Sequence, residues 1–444
     1  MSALLTALLL VGTTASVPDW DLRYDVTVPA DLSRLDVRLC FGASYPRRLA
    51  VHSVLGLTSP HPVTRAGMDL GALKRGECAR YSVAALAEDG SVVVSGRSLL
   101  LPPALLGPNI RGTVRFHLPP GASVVGVNVV APWLPAKGGA LALDRATFTM
   151  TSRVAIGRVS SQRFSLLGAH VTLAVIDADY AAGAAGIRAW ITAAIKAAAG
   201  LWGRFPRTRL LVLVRPSSRP GKRVFFGRAH RGGCGHVELF LPRNALAAAL
   251  IGEWVAIHEL LHLGLPWIEE NWMSEGFVTY YEEVMRTRAG HLTAVQLWEE
   301  LLDGFKRGAA SGGTATLEVA SRTMHQTRAY KRVYWGGAAI ALATDVAIRQ
   351  ASGGKRSLDA AITQLQSDSG SAEDFNAQQV MTRLDAWLGR PLMMDTATPM
   401  LGQVTFPDLT GTLEALGVRQ SDGRVILDDK APLAHIRRAI ERGH

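Results

Sequence analysis

Hydrophobic and polar positions change their spacing along the chain, from strand-like alternation in the first third to helical spacing later. Between Trp20 and about Arg163, short runs alternate or are rich in β-branched residues, and Pro, Gly and Asp separate them. The pattern predicts strands at Tyr24–Val28, Leu35–Phe41, Tyr81–Leu86, Ser91–Ser95, Gly112–Leu118 and Ser123–Val130. Residues 17–165 are therefore predicted to form an all-β, sandwich-like N-terminal domain.

Strands and helices alternate after Gly168. The pattern predicts strands at His170–Ile176, Leu210–Val214, Val224–Phe226 and Val237–Leu241, and an alanine-rich helix at Ala181–Leu201. A second helix is predicted to begin near Ala247 to Leu250, and Gly264 and Pro266 end it. We expect residues 166–292 to form an α+β domain.

Apolar residues recur at helical spacing in most of the chain beyond Arg288. Helices are predicted at Thr293–Phe305, Gly337–Gln350, Leu358–Gln366, Phe375–Leu388 and Pro432–Arg442, with a short strand at Val425–Leu427. Residues 293–444 are thus predicted to be mainly helical, and the whole chain is predicted to be a multidomain α+β protein.

Composition supports a globular chain of several domains. The 444 residues are 48% hydrophobic and 19% charged, which excludes a largely disordered protein. The net charge of +11 comes mostly from scattered arginines, without the basic, aromatic-interleaved strip that nucleic-acid binding requires. Nucleic acid is therefore not a predicted partner, and the oligomeric state stays open.

Residues 1–16 resemble a secretory signal. Ser2–Ser16 is apolar, ends in small residues and is too short for a comfortable membrane span. It predicts export to the periplasm or beyond, although a positive residue near the start is lacking; an uncleaved N-terminal membrane anchor is the alternative. In an exported chain Cys40 and Cys78 could pair and leave Cys234 over, whereas a cytosolic chain would keep three free thiols.

The strongest chemical motif is His258-Glu259-Leu260-Leu261-His262, inside the helix predicted after Leu250. Two histidines four residues apart lie on one helix face and can bind one metal ion, for which zinc is the expected choice. The glutamate between them can act as the base for the attacking water. The alternative is a helix with two buried histidines that bind nothing.

A catalytic zinc ion usually has three protein ligands, so one more is needed. Glu275 is the favoured candidate, because Pro266 can turn the chain after His262 and bring a second helix back onto the first. Glu282 shares a helix face with Glu275 but lies roughly 10 Å further along it, so only one of the two can bind the metal.

Beyond the motif itself, the chain resembles a known family. HELLH followed by WMSEGFVTYYEE is similar to the gluzincin metallopeptidases, and most similar to the glycyl aminopeptidase family and its bacterial relatives. The segment YKRVYWGGAAIALATDVAIRQASGGKRSLDAAI resembles that family's tyrosine-containing helix and the turn after it. The resemblance implies a thermolysin-like catalytic domain, one zinc ion with Glu275 as third ligand, and oxyanion stabilisation by Tyr334. Tyr330 is the second choice for that role, and a packed core aromatic is the alternative for Tyr334.

The chain departs from the family pattern at three places. The span before Glu275 is short, and Tyr334-Trp335-Gly336-Gly337 lacks the family's lysine. The family's G-G-x-E-H segment is matched only by Gly232-Gly233-Cys234-Gly235-His236, which lacks the glutamate. We expect the backbone there to pair with an extended peptide, but a strict aminopeptidase preference is not implied.

These observations predict a zinc-dependent peptidase that hydrolyses bonds in peptide or protein substrates. The sequence leaves open whether it removes terminal residues or cuts internally. The alternative from another class is a non-catalytic peptide-binding protein that retains the gluzincin fold.

Overall fold

The computed structural model describes residues 21–42, 44–122, 127–219, 221, 223–369 and 374–443, and the signal-like segment Ser2–Ser16 lies outside them. The chain divides into two compact units. The described residues of Met1–Glu88, Val92–Val125 and Trp133–Val154 form the first, and those of Asp89–Ser91, Gly126–Pro132 and Ala155–His444 form the second. The domain boundaries predicted after residues 165 and 292 stay predictions.

The described strands, in chain order, are β1 (Asp21–Thr27), β2 (Arg34–Phe41), β3 (Arg48–Leu49), β4 (Leu57–Thr58), β5 (Val63–Thr64), β6 (Gly67–Asp69), β7 (Ala79–Ala84), β8 (Ser91–Ser95), β9 (Arg111–His117), β10 (Val127–Val130), β11 (Leu134–Pro135), β12 (Leu141–Leu143), β13 (Arg153–Leu166), β14 (Ala169–Ile176), β15 (Arg209–Pro216), β16 (Gly227–His230), β17 (Gly235–Leu241), β18 (Trp267–Ile268), β19 (Asp374–Phe375), β20 (Val418–Ser421) and β21 (Arg424–Leu427).

The described helices are α1 (Gly96–Leu99), α2 (Arg145–Thr149), α3 (Gly183–Ala199), α4 (Ala247–Leu250), α5 (Trp254–Gly264), α6 (Asn271–Arg288), α7 (Ala294–Ala310), α8 (Leu317–Arg322), α9 (Met324–Thr327), α10 (Tyr330–Ala351), α11 (Leu358–Ser369), α12 (Ala377–Leu388), α13 (Leu392–Leu401), α14 (Thr410–Leu416) and α15 (Ala434–Arg442).

The first unit is built on a seven-stranded sheet in the order β11–β12–β9–β1–β2–β7–β4, with a smaller sheet β3–β6–β5. Along β1, Leu22, Tyr24 and Val26 are buried while their neighbours are more exposed, which is the alternation that predicted the strand. Cys40 and Cys78 form a disulfide bond. The predicted N-terminal β domain is confirmed. Residues 123–126 of the predicted strand Ser123–Val130 lie outside the described residues.

In the second unit a sheet runs in the order β10–β13–β14–β15–β17–β16. The strands β14, β15 and β17 are parallel, and β16 is antiparallel to β17 at the end of the order. The predicted strand Val224–Phe226 is wrong: these residues precede β16, and Phe225 and Phe226 are exposed. The apolar residues predicted a strand, whereas both rings are stacked with arginine side chains at the surface.

The predicted continuous helix from Ala247 through the histidine motif is broken into α4 and α5. Gly252 adopts a φ of +76°, a left-handed conformation that interrupts helical geometry. Glu253 then caps α5 by accepting a hydrogen bond from the Val255 backbone N–H at 3.0 Å. The helix ends at Gly264, where a Cβ atom would lie 2.2 Å from the Trp202 ring.

The remainder of the second unit is mainly helical, as predicted, and its longest helices, α6 and α10, pack against each other at Gly276 and Gly337. Phe375 belongs to β19 rather than to the predicted helix. The helix α12 begins only after Asn376, whose side-chain oxygen accepts a hydrogen bond from the Gln379 backbone N–H at 2.8 Å and caps the helix. No helix in the described ranges is both long and apolar enough to cross a membrane. The multidomain α+β architecture is confirmed.

Candidate metal centre and active site

Three predicted ligands come together between α5 and α6. The Nε2 atoms of His258 and His262 lie 3.2 Å apart, and each is 3.3 Å from Oε2 of Glu275. One ligand atom from each residue lies within 4.8 Å of the others. Two imidazoles and one carboxylate with their donor atoms turned to one point are the donor set of catalytic zinc sites. The residues present therefore fit one zinc ion.

A second carboxylate orients the first ligand. Oε2 of Glu282 lies 2.5 Å from Nδ1 of His258, and both side chains are buried. Because Nδ1 is hydrogen-bonded to Glu282, Nε2 is the nitrogen that faces Glu275 and His262. Glu282 follows Glu275 by seven residues, two helical turns, so it reaches the outer side of His258 rather than the metal.

Glu259 lies on the other side of the motif, against β16. Its carboxylate accepts a hydrogen bond from the Ala229 backbone N–H, while burial raises the pKa of this carboxyl and the nearby His258 and His262 oppose the rise. Gly227 makes this approach possible, because a Cβ atom there would lie 2.6 Å from Cγ of Glu259. The base candidate is thus held between α5 and the start of the edge strand.

Tyr334, in the second turn of α10, lies beside the candidate ligands His258 and Glu275. Its ring stacks with that of His258, with centroids 6.3 Å apart, and its hydroxyl is hydrogen-bonded to Glu275. Burial, and then the charge of Glu275, raises the pKa of Tyr334 well above its usual value, so the phenol keeps its proton. Tyr330 is 40% exposed and its hydroxyl lies 3.4 Å from Nδ1 of His325, so Tyr330 lies at the outer edge of the site.

Two arginines hold the far end of the motif helix. Arg231 donates to the backbone carbonyls of His262, at 2.5 Å, and Leu265, at 2.8 Å. Arg207 donates to the carbonyl of Leu263 at 2.9 Å. Burial lowers the pKa of Arg231 to about 9 and that of Arg207 to about 10, so both guanidinium groups stay charged at neutral pH against the negative end of the helix dipole. They fix the position from which His262 reaches the metal.

The predicted substrate-binding residues occupy the β16–β17 turn and the start of β17. Gly232 and Gly233 are in the turn, whereas Gly235 and His236 pair with β15 on one side. His236 also pairs with His230 of β16 and is fully buried. The backbone of His236 is therefore engaged on both sides. The strand edge beside Glu259 belongs to β16, which pairs with no further strand among the described residues.

The comparisons with known proteins find relatives by structure alone. No protein-family model matches the chain, and no curated protein is significantly similar to it. A solved aminopeptidase N family protein from Idiomarina loihiensis is 17% identical, with a TM-score of 0.69 over 93% of this chain and 82% of that one. The chain shares its fold.

Two further solved structures support the same conclusion. An M1 zinc metallopeptidase variant from Deinococcus radiodurans, bound to a Tyr-Ser-Ala substrate, is 17% identical, with a TM-score of 0.55 over 89% of this chain and 95% of that one. Yeast LTA4 hydrolase is 13% identical, with a TM-score of 0.53 over 89% of this chain and 70% of that one. The predicted likeness to gluzincin peptidases thus holds at the level of fold.

Sequence reasoning missed the contact of Glu282 with His258, the edge strand β16 and the two arginines. The spacing from Glu275 to Glu282 was a usable signal, because the same spacing that kept Glu282 off the metal placed it behind a ligand. The backbone N–H of Ala229 and the positions of Arg207 and Arg231 left no signal, since all three depend on how the sheet and α5 pack together.

Proposed function

We propose that this protein is a zinc-dependent peptidase that hydrolyses peptide bonds in extended peptide or protein segments. The observation that carries the proposal is the convergence of His258, His262 and Glu275, with Glu259 held beside them. The fold shared with M1 zinc metallopeptidases supports it. A bound zinc ion would polarise the scissile carbonyl and lower the pKa of a water molecule.

Glu259 and Tyr334 carry out the proton transfers and stabilise the oxyanion. Glu259, held by the Ala229 backbone N–H beside the ligands, takes the proton from the attacking water and delivers it to the leaving amine. Tyr334 donates its phenolic hydrogen to the oxyanion that develops on the carbonyl. In the free protein that hydroxyl is hydrogen-bonded to Glu275, so it already points to the site.

A substrate would bind as a strand beside β16, whose outer edge is open next to Glu259. The residues of β16, Gly-Arg-Ala-His, include no carboxylate that could hold a free amino terminus. This favours cleavage that does not depend on a free terminus. Turnover of matched peptides with free and acetylated amino termini decides between the two modes.

The test of the proposal is a Glu259→Gln variant, with Glu269→Gln, an exposed position five residues beyond Gly264, as matched control. We expect both proteins to bind one zinc ion, while Glu259→Gln loses about 10²- to 10⁴-fold in kcat on a mixed peptide library. An unchanged rate would remove Glu259 from the mechanism. Stoichiometric zinc without hydrolysis of any peptide would favour the non-catalytic peptide-binding alternative.

We also propose that the protein is exported. Its Cys40–Cys78 disulfide, typical of oxidising compartments, and the signal-like Ser2–Ser16 support this. Cell fractionation with sequencing of the mature amino terminus tests it. A terminus shortly after Ser16 in the periplasm or medium is expected, whereas an intact terminus in the membrane fraction would indicate the anchor.

A further inference from the structure

At the start of the edge strand β16 and in the segment before it, two phenylalanines and two arginines form exposed stacks. Phe225 and Phe226 are 39% and 38% exposed, with ring centroids 6.3 Å apart. The guanidinium of Arg219 lies 5.0 Å from the Phe225 ring and that of Arg228 lies 4.9 Å from the Phe226 ring. We call Arg219, Phe225, Phe226 and Arg228 the arginine–aromatic rim. Exposed aromatic rings and arginines are common in binding surfaces.

The arginine–aromatic rim is joined to the candidate active site through the edge strand β16. Phe226 is followed by Gly227, whose Cα lies against Glu259 and Val255, and Arg228 is itself part of β16. The Phe226 carbonyl accepts a hydrogen bond from the Phe240 N–H at 3.1 Å, which fixes the rim to β17. Side chains alternate along a strand, so Phe226 and Arg228 project from the sheet face opposite Glu259, and every second side chain of a peptide paired with β16 would project to the face of the rim.

The two arginines of the arginine–aromatic rim form no ion pair among the described residues. Glu238, which lies opposite Arg228 in the strand register, pairs with Arg215 at 3.1 Å, and Arg243 pairs with Asp89. A guanidinium stacked on a ring keeps its N–H edge free for a carboxylate.

We propose that the arginine–aromatic rim is a subsite that selects peptides with an acidic side chain near the scissile bond. The inference rests on the proposed function and specifies its substrate class. The rings give the peptide an apolar surface, and the guanidinium edges bind the carboxylate of one Asp or Glu. Both partners stay partly solvated, so the preference weakens as salt rises.

The test is equilibrium binding of fluorescent eight-residue peptides to the full chain carrying Glu259→Gln, which prevents turnover. One peptide set has a single Asp at successive positions, a second set has Lys there, and a third has Ala. We expect the best Asp peptide to bind about fivefold to tenfold more tightly than its Lys counterpart, which is the size of two partly exposed ion pairs. Adding Arg219→Gln and Arg228→Gln should abolish that ratio.

The matched control is Arg188→Gln. Arg188 is stacked on Phe164 at 4.5 Å, on the face of α3 that lies against the β13 side of the sheet, so this variant removes a similar arginine–phenylalanine stack without touching the arginine–aromatic rim. The Asp preference should be unchanged there. Arg228→Glu should reverse the preference toward Lys peptides, which shows that the rim variants remain folded and still bind.

Equal affinities for the Asp and Lys sets would overturn the proposal, and so would a preference that survives the double substitution. Hydrolysis by the wild-type protein is measured separately. Because binding is read without turnover, loss of the proposed peptidase function and loss of the acidic preference are distinguishable results.

Discussion

At the scale of single residues, the contact between His258 and Glu282 affects both the orientation of the His258 ring and its strength as a metal ligand. The carboxylate 2.5 Å from Nδ1 fixes the ring orientation and makes the imidazole a better donor. Glu282 is buried, and the charge of His258, ahead of that of Arg286, opposes the rise in its pKa that burial causes.

We therefore predict that Glu282→Gln weakens zinc binding by about 10- to 100-fold while the fold is retained. A competition titration with a chelating dye measures the affinity, and circular dichroism checks the fold. Glu269→Gln, exposed and outside the contact, should bind zinc like the wild type. An unchanged affinity for Glu282→Gln would show that the contact does not tune the ligand.

Glu253, the cap of α5, has a buried carboxyl whose pKa is raised to about 7 by burial, against the hydrogen bonds from Val255 and Ala256. In the unfolded chain its pKa returns to 4.5. Between these values the folded state holds a proton that the unfolded state has lost, so this group's stabilising contribution, complete below pH 4.5, is lost as pH rises through 7.

The predicted loss from Glu253 is up to about 3 kcal/mol of unfolding free energy between pH 4.5 and 7. In Glu253→Gln, which cannot ionise, the stability curve should be flatter over this range by that amount. Urea unfolding at several pH values compares the two proteins. Parallel curves would mean that Glu253 titrates alike in the folded and unfolded states.

At the scale of elements, the crossing of α6 and α10 brings Tyr334 to the metal ligands. A Cβ atom on Gly276 would lie 2.4 Å from Cα of Gly337, and one on Gly337 would lie 1.8 Å from the Trp272 carbonyl oxygen. The helices can approach this closely only without side chains at both positions. Glu275 precedes one of these glycines and Tyr334 lies one turn before the other.

Gly337→Ala should lower the unfolding free energy by about 1–3 kcal/mol, because the added methyl group forces the helices apart. It should also lower kcat, since Tyr334 moves with α10. Gly411→Ala is the matched control: Gly411 lies in α14 with nothing within 4 Å of an added Cβ. Helix propensity predicts that this control gains about 0.5–1 kcal/mol. Equal melting temperatures for both variants would contradict the close-packing argument.

Sequence periodicity predicted most elements near the site but not how they are interrupted. Five elements begin within a few residues of their predicted starts, namely the strands β14 and β17 and the helices α3, α7 and α11. They were predictable because each has at least one apolar face. The break before α5 was missed, since Ile251 and Gly252 continue an apolar pattern while the backbone turns left-handed. The hydrophobic pattern indicates which residues are buried, whereas a break in a helix depends on a single backbone dihedral angle.

At the scale of the whole molecule, the disulfide closes a 38-residue span of the first unit. Replacing both Cys40 and Cys78 by Ser should lower the unfolding free energy of that unit by about 3–4 kcal/mol, the loop-closure value for this span. Burial raises the pKa of the Cys234 thiol to about 11, so this free cysteine is poorly reactive. Cys234→Ser should therefore have the same unfolding free energy as the wild type, both with and without reductant. A Cys40/Cys78 double variant that is as stable as the wild type would contradict the prediction.

The overall architecture was predictable because the alternating spacing of hydrophobic residues in strands and their helical spacing occur in different parts of the chain. The meeting of His258, His262 and Glu275 was predictable for a similar reason: the ligands lie on two consecutive helices joined by a short turn. Tyr334, further along the chain, was expected only through a family resemblance. Contacts between β16 and α5 could not be foreseen, because sequence pattern does not give the order of strands in a sheet.

For the proposed peptidase, the open edge of β16 means that a substrate is recognised by its backbone before its side chains. A segment within a helix or an interior strand has already committed its amide and carbonyl groups, and it cannot lie along this edge. Compact proteins should resist cleavage until heat, damage or incomplete folding releases several consecutive residues. Conformational state would then decide which molecules are degraded, and sequence would decide only where.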